Sequence, residues 1–161
     1  MGDRKGEQKV EVRTPLFDRL VDRDPTLRRE LRPMRTLGRA GLRESVRREL
    51  EMLLNTRTSL PANRLSLRER SVIDYGIPDC SMFSPRSFDD RGRLAEILRR
   101  AIAAYEPRLA GVRVTVDVSP SDELAMAVRI EATLITGAVP EPVSFDTVLQ
   151  SGEEVTVHAS P

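Results

Sequence analysis

Tryptophan is absent from the sequence, and histidine and cysteine each occur once. These scarcities remove whole classes of function. A lone cysteine, Cys80, allows no intrachain disulfide and points to a reducing compartment. It reads as a small buried group and not as a nucleophile. His158 stands far from Cys80 in the chain, and no metal-ligand spacing surrounds either residue. It reads as a surface side chain, so neither a metal nor a cofactor is expected. The nine glycines are scattered, which leaves no phosphate-cradling loop and no dinucleotide fingerprint. Apolar runs are short, and none nears the ~20 residues of a membrane-spanning helix. The first 13 residues carry seven charges and no apolar stretch, unlike a secretory signal. The expectation is a cytoplasmic chain with no direct membrane insertion.

Aromatic residues are also few, at 4%. Charged residues are plentiful at 32%, yet the net charge is only +1. No global field therefore draws the protein to nucleic acid or to a membrane. The charge is unevenly spread, however. Residues 1–60 hold 15 basic and 10 acidic groups, whereas residues 120–161 hold seven acidic groups and one basic, Arg129. Such asymmetry favours oriented docking, and a solvated surface is the plainer alternative. The Arg-rich stretch after Thr26 has no interleaved aromatics. It reads as a solvated connector, with no nucleic-acid partner expected.

The periodicity gives a coarse architecture. Residues 1–14 read as a flexible arm, too charged to bury a core. Residues 15–41 hold a short helix, with Leu16, Phe17, Leu20 and Val21 at helical spacing, and then the connector. Within 42–161, Leu42, Val46, Leu50, Leu53 and Leu54 line one face of a stronger helix. Asn55-Thr56-Arg57 is expected to close it, because Asn tolerates left-handed backbone. Residues 58–92 lack a regular pattern, apart from a turn that Ser66 is expected to cap and an apolar island, Ser71 to Asp79. Asp89 or Asp90 is expected to cap the next helix, whose stripe is Leu94, Ile97, Leu98, Ala101, Ile102 and Tyr105. After Gly111 the period becomes two. Val112 to Val118 and Met126 to Leu134 alternate as an antiparallel pair, Val143 and Phe145 mark a third strand, and Val155 and Val157 a fourth. The fold expected is α+β: two main amphipathic helices on one face of a small, mostly antiparallel four-stranded sheet. Such a sheet is open at its edges, and no row of lysines guards them.

One joint stands out. Tyr105-Glu106-Pro107-Arg108 lies where the helix pattern ends and the strand pattern begins. Pro107 lacks a donor and restricts Glu106, so the helix stops there. Glu106 and Arg108 are either a surface pair at a helix end or a clamp for a partner. An Arg fork suits carboxylates, and the proline between the two fixes the backbone.

Four stretches in order carry a resemblance: Pro15-Leu16-Phe17-Asp18-Arg19-Leu20, Leu53-Leu54-Asn55-Thr56-Arg57, Ser71 to Asp79, and Tyr105-Glu106-Pro107-Arg108-Leu109. Together they resemble the TssE family, baseplate wedge subunits of bacterial type VI secretion, similar to the small tail-wedge protein of contractile phages. The likeness covers roughly residues 15–158 and includes the late strand Val143-Ser144-Phe145-Asp146. It implies a structural, non-enzymatic subunit of a baseplate docked at the cytosolic face of the inner membrane. Glu106, Pro107 and Arg108 match the family's hallmark triplet, which implies contact with the wedge proteins TssF and TssG. The sheet would accept strands from the first sheath ring of TssB and TssC, in keeping with its open edges. The family's "lysozyme-like" label implies an alternative, a small peptidoglycan hydrolase. That chemistry needs two carboxyls ~5–10 Å apart across a cleft, and the residues themselves give no sign of one.

Overall fold

A computed structural model describes residues 12–13, 36–65, 69–135 and 139–160. The short helix read at 16–21, most of the Arg-rich connector and the Ser66 cap lie outside the described residues. Two short strands, β1 (Val12–Arg13) and β2 (Thr36–Leu37), pair antiparallel. Helix α1 spans Arg39–Asn55, a single turn α2 spans Ala62–Leu65, and a 3₁₀ turn covers Val72–Asp74. Helix α3 spans Phe88–Tyr105. Strands β3 (Leu109–Val118), β4 (Met126–Leu134), β5 (Glu141–Leu149) and β6 (Val157–Ser160) follow. They form one antiparallel sheet in the order β3-β4-β5-β6. The fold is the α+β arrangement that the periodicity predicts.

The core lies between the helices and one face of the sheet. Leu42, Val46, Leu50, Leu53 and Leu54 of α1 are all buried there, as are Leu94, Leu98, Ala101 and Ile102 of α3. Helix α3 lies chiefly against β3, and α1 against β6. Every second residue of β4, from Met126 to Leu134, is buried. Ile130 faces Phe145 across the β4–β5 ladder, and neither is exposed to solvent. The buried Thr147 hydroxyl donates to the Thr156 carbonyl at 2.7 Å, so it costs the core little. Strand β3 carries a bulge in which Gly111 and Val112 stand opposite Ala132. Gly111 has φ +63°, the left-handed conformation that such a bulge needs and glycine supplies cheaply.

Several local expectations are corrected. Helix α3 is capped by Ser87, whose Oγ accepts from the Asp90 amide at 3.2 Å. Asp89 and Asp90 occupy its first turn instead, where they complement the positive end of the helix dipole. No non-glycine residue described has a positive φ, so Asn55 does not end α1 by left-handed geometry. Thr56 ends it in an extended conformation. Ile97, expected in the core, is only half-buried on the outer side of α3.

Nor is the β6 edge bare. Residues 43, 47, 51 and 55 form one ridge of α1, four residues apart. Arg43 Nη2 donates to the Ser160 carbonyl at 2.9 Å, and Arg47 Nη1 to that of Val157 at 3.0 Å. The Val157 amide donates to Glu51 at 3.2 Å. Asn55 bonds both backbone groups of Val155, each at 2.8 Å. The helix ridge thus takes the hydrogen bonds that a further strand would make. Among the described residues no strand pairs with the outer side of β3.

Candidate functional site

Pro107 sets the geometry of the joint. Glu106 is the C-cap of α3, with its amide bonded to the Ile102 carbonyl at 2.8 Å. One residue past the proline, the Arg108 amide donates to Glu106 Oε1 at 3.2 Å. Its Nε donates to the same oxygen at 2.6 Å, and Nη2 bonds Oε2. The fork and the carboxylate therefore meet in a bidentate pair two residues apart. Nη1 reaches across to α1 and donates to Ser45 Oγ at 3.0 Å. The Glu106 side chain is 4% exposed and that of Arg108 is 17% exposed. The two charges pair with each other, and Ser45 ties Arg108 to α1. In a site this dry, removing either group would leave the other costly.

The apolar island packs beside this pair. Tyr75 and Tyr105 meet edge to face with centroids 5.1 Å apart. The Tyr105 hydroxyl donates to the Ser71 carbonyl at 2.9 Å, and the Arg70 guanidinium lies 5.9 Å over its ring. Burial raises the Tyr75 hydroxyl pKa, and the negative charges of Glu49 and Glu106 add to the effect. Buried Asp74 accepts from the Ser71 amide at 3.0 Å and from its hydroxyl at 3.1 Å, which fixes the intervening 3₁₀ turn. That turn holds Val72 and Ile73 in water, 88% and 80% exposed. Behind it, the Ile77 amide donates to Thr56 O at 2.9 Å and Thr58 N to Ile77 O at 3.0 Å. Gly76 makes this approach possible: its φ is +108°, and a Cβ there would lie 2.5 Å from Thr56 O.

The structure therefore brings three of the four singled-out stretches together. Ser71–Asp79 links the other two, meeting Tyr105 at its Ser71 end and Thr56 at its Ile77 end, while Leu53–Arg57 itself lies at the far end of the sheet, beside Val155; residues 15–20 lie outside the described residues. Sequence reasoning missed Ser45, a buried polar residue beside the apolar stripe of α1, and Arg70. The signal for Ser45 was present, since a serine at a core-facing helical position needs a partner. Cys80 and His158 are not brought together at this joint. The Cys80 thiol is half-buried, packs on the core edge and donates to the Pro78 carbonyl at 3.1 Å. His158 lies on the opposite, polar face of the sheet, across from Asp146. Among the described residues, no group of His, Cys, Asp and Glu is arranged to hold a metal ion. No helix there is long and apolar enough to cross a membrane.

Solved structures with a similar outline include a chain of the baseplate complex from the type VI secretion system. It is 21% identical, with a TM-score of 0.48, and the match covers 68% of this chain and 95% of that one. A Geobacter sulfurreducens protein described as a candidate tail lysozyme is 15% identical, with a TM-score of 0.45, covering 70% and 95%. Among curated proteins there is no match. The sequence pattern of the baseplate wedge protein gp25 matches residues 40–138, from the start of α1 through β4. That is more than half of the 161 residues, and the chain belongs to the gp25 baseplate wedge family.

Proposed function

We propose that this protein is the TssE-like structural subunit of a type VI secretion baseplate, acting in the cytosol at the inner membrane. In this reading the end of the molecule built around Glu106, Pro107 and Arg108 docks onto the wedge proteins TssF and TssG. The sheet receives a strand from the sheath proteins TssB and TssC and so anchors the first sheath ring. Family membership supports the baseplate role. The docking assignment rests on the packing of the Ser71–Tyr75 turn on Tyr105 next to the Glu106–Arg108 pair, a turn that carries exposed Val72 and Ile73. Most of the two charges' bonding capacity is turned inward, so the pair pre-shapes the surface, and Arg108 presents its remaining exposed edge. For the sheath, the outer side of β3, with which no strand pairs among the described residues, favours that strand over β6, whose backbone groups α1 already occupies.

Co-purification with TssF and TssG tests the docking surface. Arg108→Ala and a Val72→Asp, Ile73→Asp double variant should lose the wedge while keeping a cooperative melt. Arg129→Ala, on the far face of the sheet, should keep it. Undiminished binding by folded Arg108→Ala and by the double variant would sink the assignment. A non-enzymatic role is part of the proposal. Purified protein should leave the turbidity of a cell-wall suspension unchanged, and clearing of the suspension would restore the hydrolase alternative.

A further inference from the structure

Among the described residues no strand pairs with the outer side of β3, whereas side chains of α1 bond the backbone at the β6 edge. Which backbone groups of β3 point outward follows from its ladder with β4. The Ser119 amide donates to the Ala125 carbonyl at 2.9 Å, one step beyond the pairing of Val118 with Met126. Hydrogen-bonded positions alternate along an antiparallel ladder, so Asp117, Thr115 and Arg113 turn their amides and carbonyls toward β4. Those of Val114, Val116 and Val118 turn outward. The bulge at Gly111 and Val112 ends this regular edge at Arg113. Side chains alternate as well. Arg113, Thr115 and Asp117 are exposed, and the last two line the polar face of the sheet. The valines face the helices, yet Val118 is 37% exposed and Val112 and Val114 are only half-buried. Apolar groups left this open at an edge gain from a further strand. Outward from Thr115 the segment complements itself: a valine on either side, then Arg113 one way and Asp117 the other.

We propose that this edge pairs with the same edge of a second copy, antiparallel about a two-fold axis at Thr115. In that register Val114 exchanges backbone hydrogen bonds with the second copy's Val116, and Val116 with its Val114. Arg113 of each copy faces Asp117 of the other, and the two Thr115 side chains meet on the axis. A two-fold contact needs a patch that complements itself, and opposed charges across a strand pair favour this register. Sliding one strand two residues past the other keeps the backbone bonding but sets Thr115 against Arg113 or Asp117, and both charge pairs are lost. The pairing is short and buries less than a standard interface, so the dimer is weak and concentration-dependent. It does not rest on the wedge reading, although a dimer would occupy the strand proposed there for the sheath.

Sedimentation equilibrium of the full-length chain should show the mass rising from monomer toward dimer between about 10 μM and about 1 mM. Thr115→Cys, oxidised with diamide, should give a dimer that peptide masses show to be linked through residue 115. Opposed residues at a non-hydrogen-bonded position stand about 4.5 Å apart at Cα, within disulfide reach. The native chain, with Cys80 as its only thiol, is the control. Asp117→Arg and Arg113→Asp each set like charges face to face and should weaken the dimer roughly tenfold. An equimolar mixture of the two variants should restore it, because each copy then meets its opposite. A native chain that stays monomeric at about 1 mM overturns the proposal. So does a dimer that yields no disulfide at residue 115, or one that both charge variants form as well as the native chain does. Species larger than a dimer overturn the two-fold contact, which closes on itself. The replaced side chains are exposed, so all three variants should keep the native melting curve.

Discussion

Glu106 and Arg108 show how far apart a motif and its mechanism can lie. As letters they are two charges around a proline. In the fold they are a nearly dry bidentate pair that also holds Ser45 of α1. Arg108→Ala should cost about 3 kcal/mol of stability by urea denaturation, because it strands a carboxylate that is 3% exposed. Adding Glu106→Gln to that variant should recover part of the loss, since no unpaired charge is left buried. A cost below about 0.5 kcal/mol would mean that the pair does not hold the joint. Cys80 gives a second check on residue environment. Burial pushes its thiol up to about 11. At pH 8 it should alkylate roughly a hundredfold more slowly than a free cysteine, and at the ordinary rate in denaturant. Fast labelling of the folded protein would contradict the packing described around Pro78.

At the scale of elements, the two main helices and the alternation of β3 and β4 were legible because local periodicity sets them. What closes the elements was not. Ser87 outcompetes Asp89 and Asp90 as a cap because it alone sits at the non-helical position before the first turn. Asn55 is drawn away from a turn role by Val155, a residue 100 positions later. The segment from Ser71 to Ile77 has too little periodicity to read, since its order comes from Thr56, Tyr105 and the Asp74 carboxylate. Gly76 is its hinge against α1. Gly76→Ala should cost about 2–3 kcal/mol through backbone strain and the clash with Thr56 O. A chain of this length should then melt roughly 4–12 °C lower by calorimetry. Gly92→Ala, in the interior of α3 with open space around its Cβ, is the matched control and should be neutral or stabilising.

At the scale of the whole molecule, the sheet has two unlike faces. One sheet face is sealed under the helices, and the other presents charged pairs such as Arg129 with Asp146. Its acid response follows from carboxylates held by arginines. Arg99 and then Arg100 bring Glu96 down to about 2 from 4.5. Arg129 and Ser160 lower Asp146, and Arg47 lowers Glu44. Each folded value lies below the unfolded one. The stabilisation is therefore complete above about pH 4.5 and is lost as pH falls toward 2. These pairs are largely exposed, so each term is small and screened by salt. Urea midpoints should stay level from pH 7 to about 5 and then fall, with a shallower fall for Glu96→Gln. A midpoint that falls equally in that variant would remove Glu96 from the account.

By itself the sequence determined the α+β class, the two amphipathic helices, the strand alternation and the place of the joint. Each follows from spacing along a short stretch of chain and from the missing donor of Pro107. Only the tertiary structure decided where the charges point. Glu106 and Arg108 face each other, and the ridge from Arg43 to Asn55 covers β6. Ile97 lies half-buried on the outer side of α3 and not in the core. Those outcomes depend on contacts up to 117 residues apart, which periodicity cannot register. The buried polar groups had to be satisfied, and the folded arrangement alone fixes which partners are within reach.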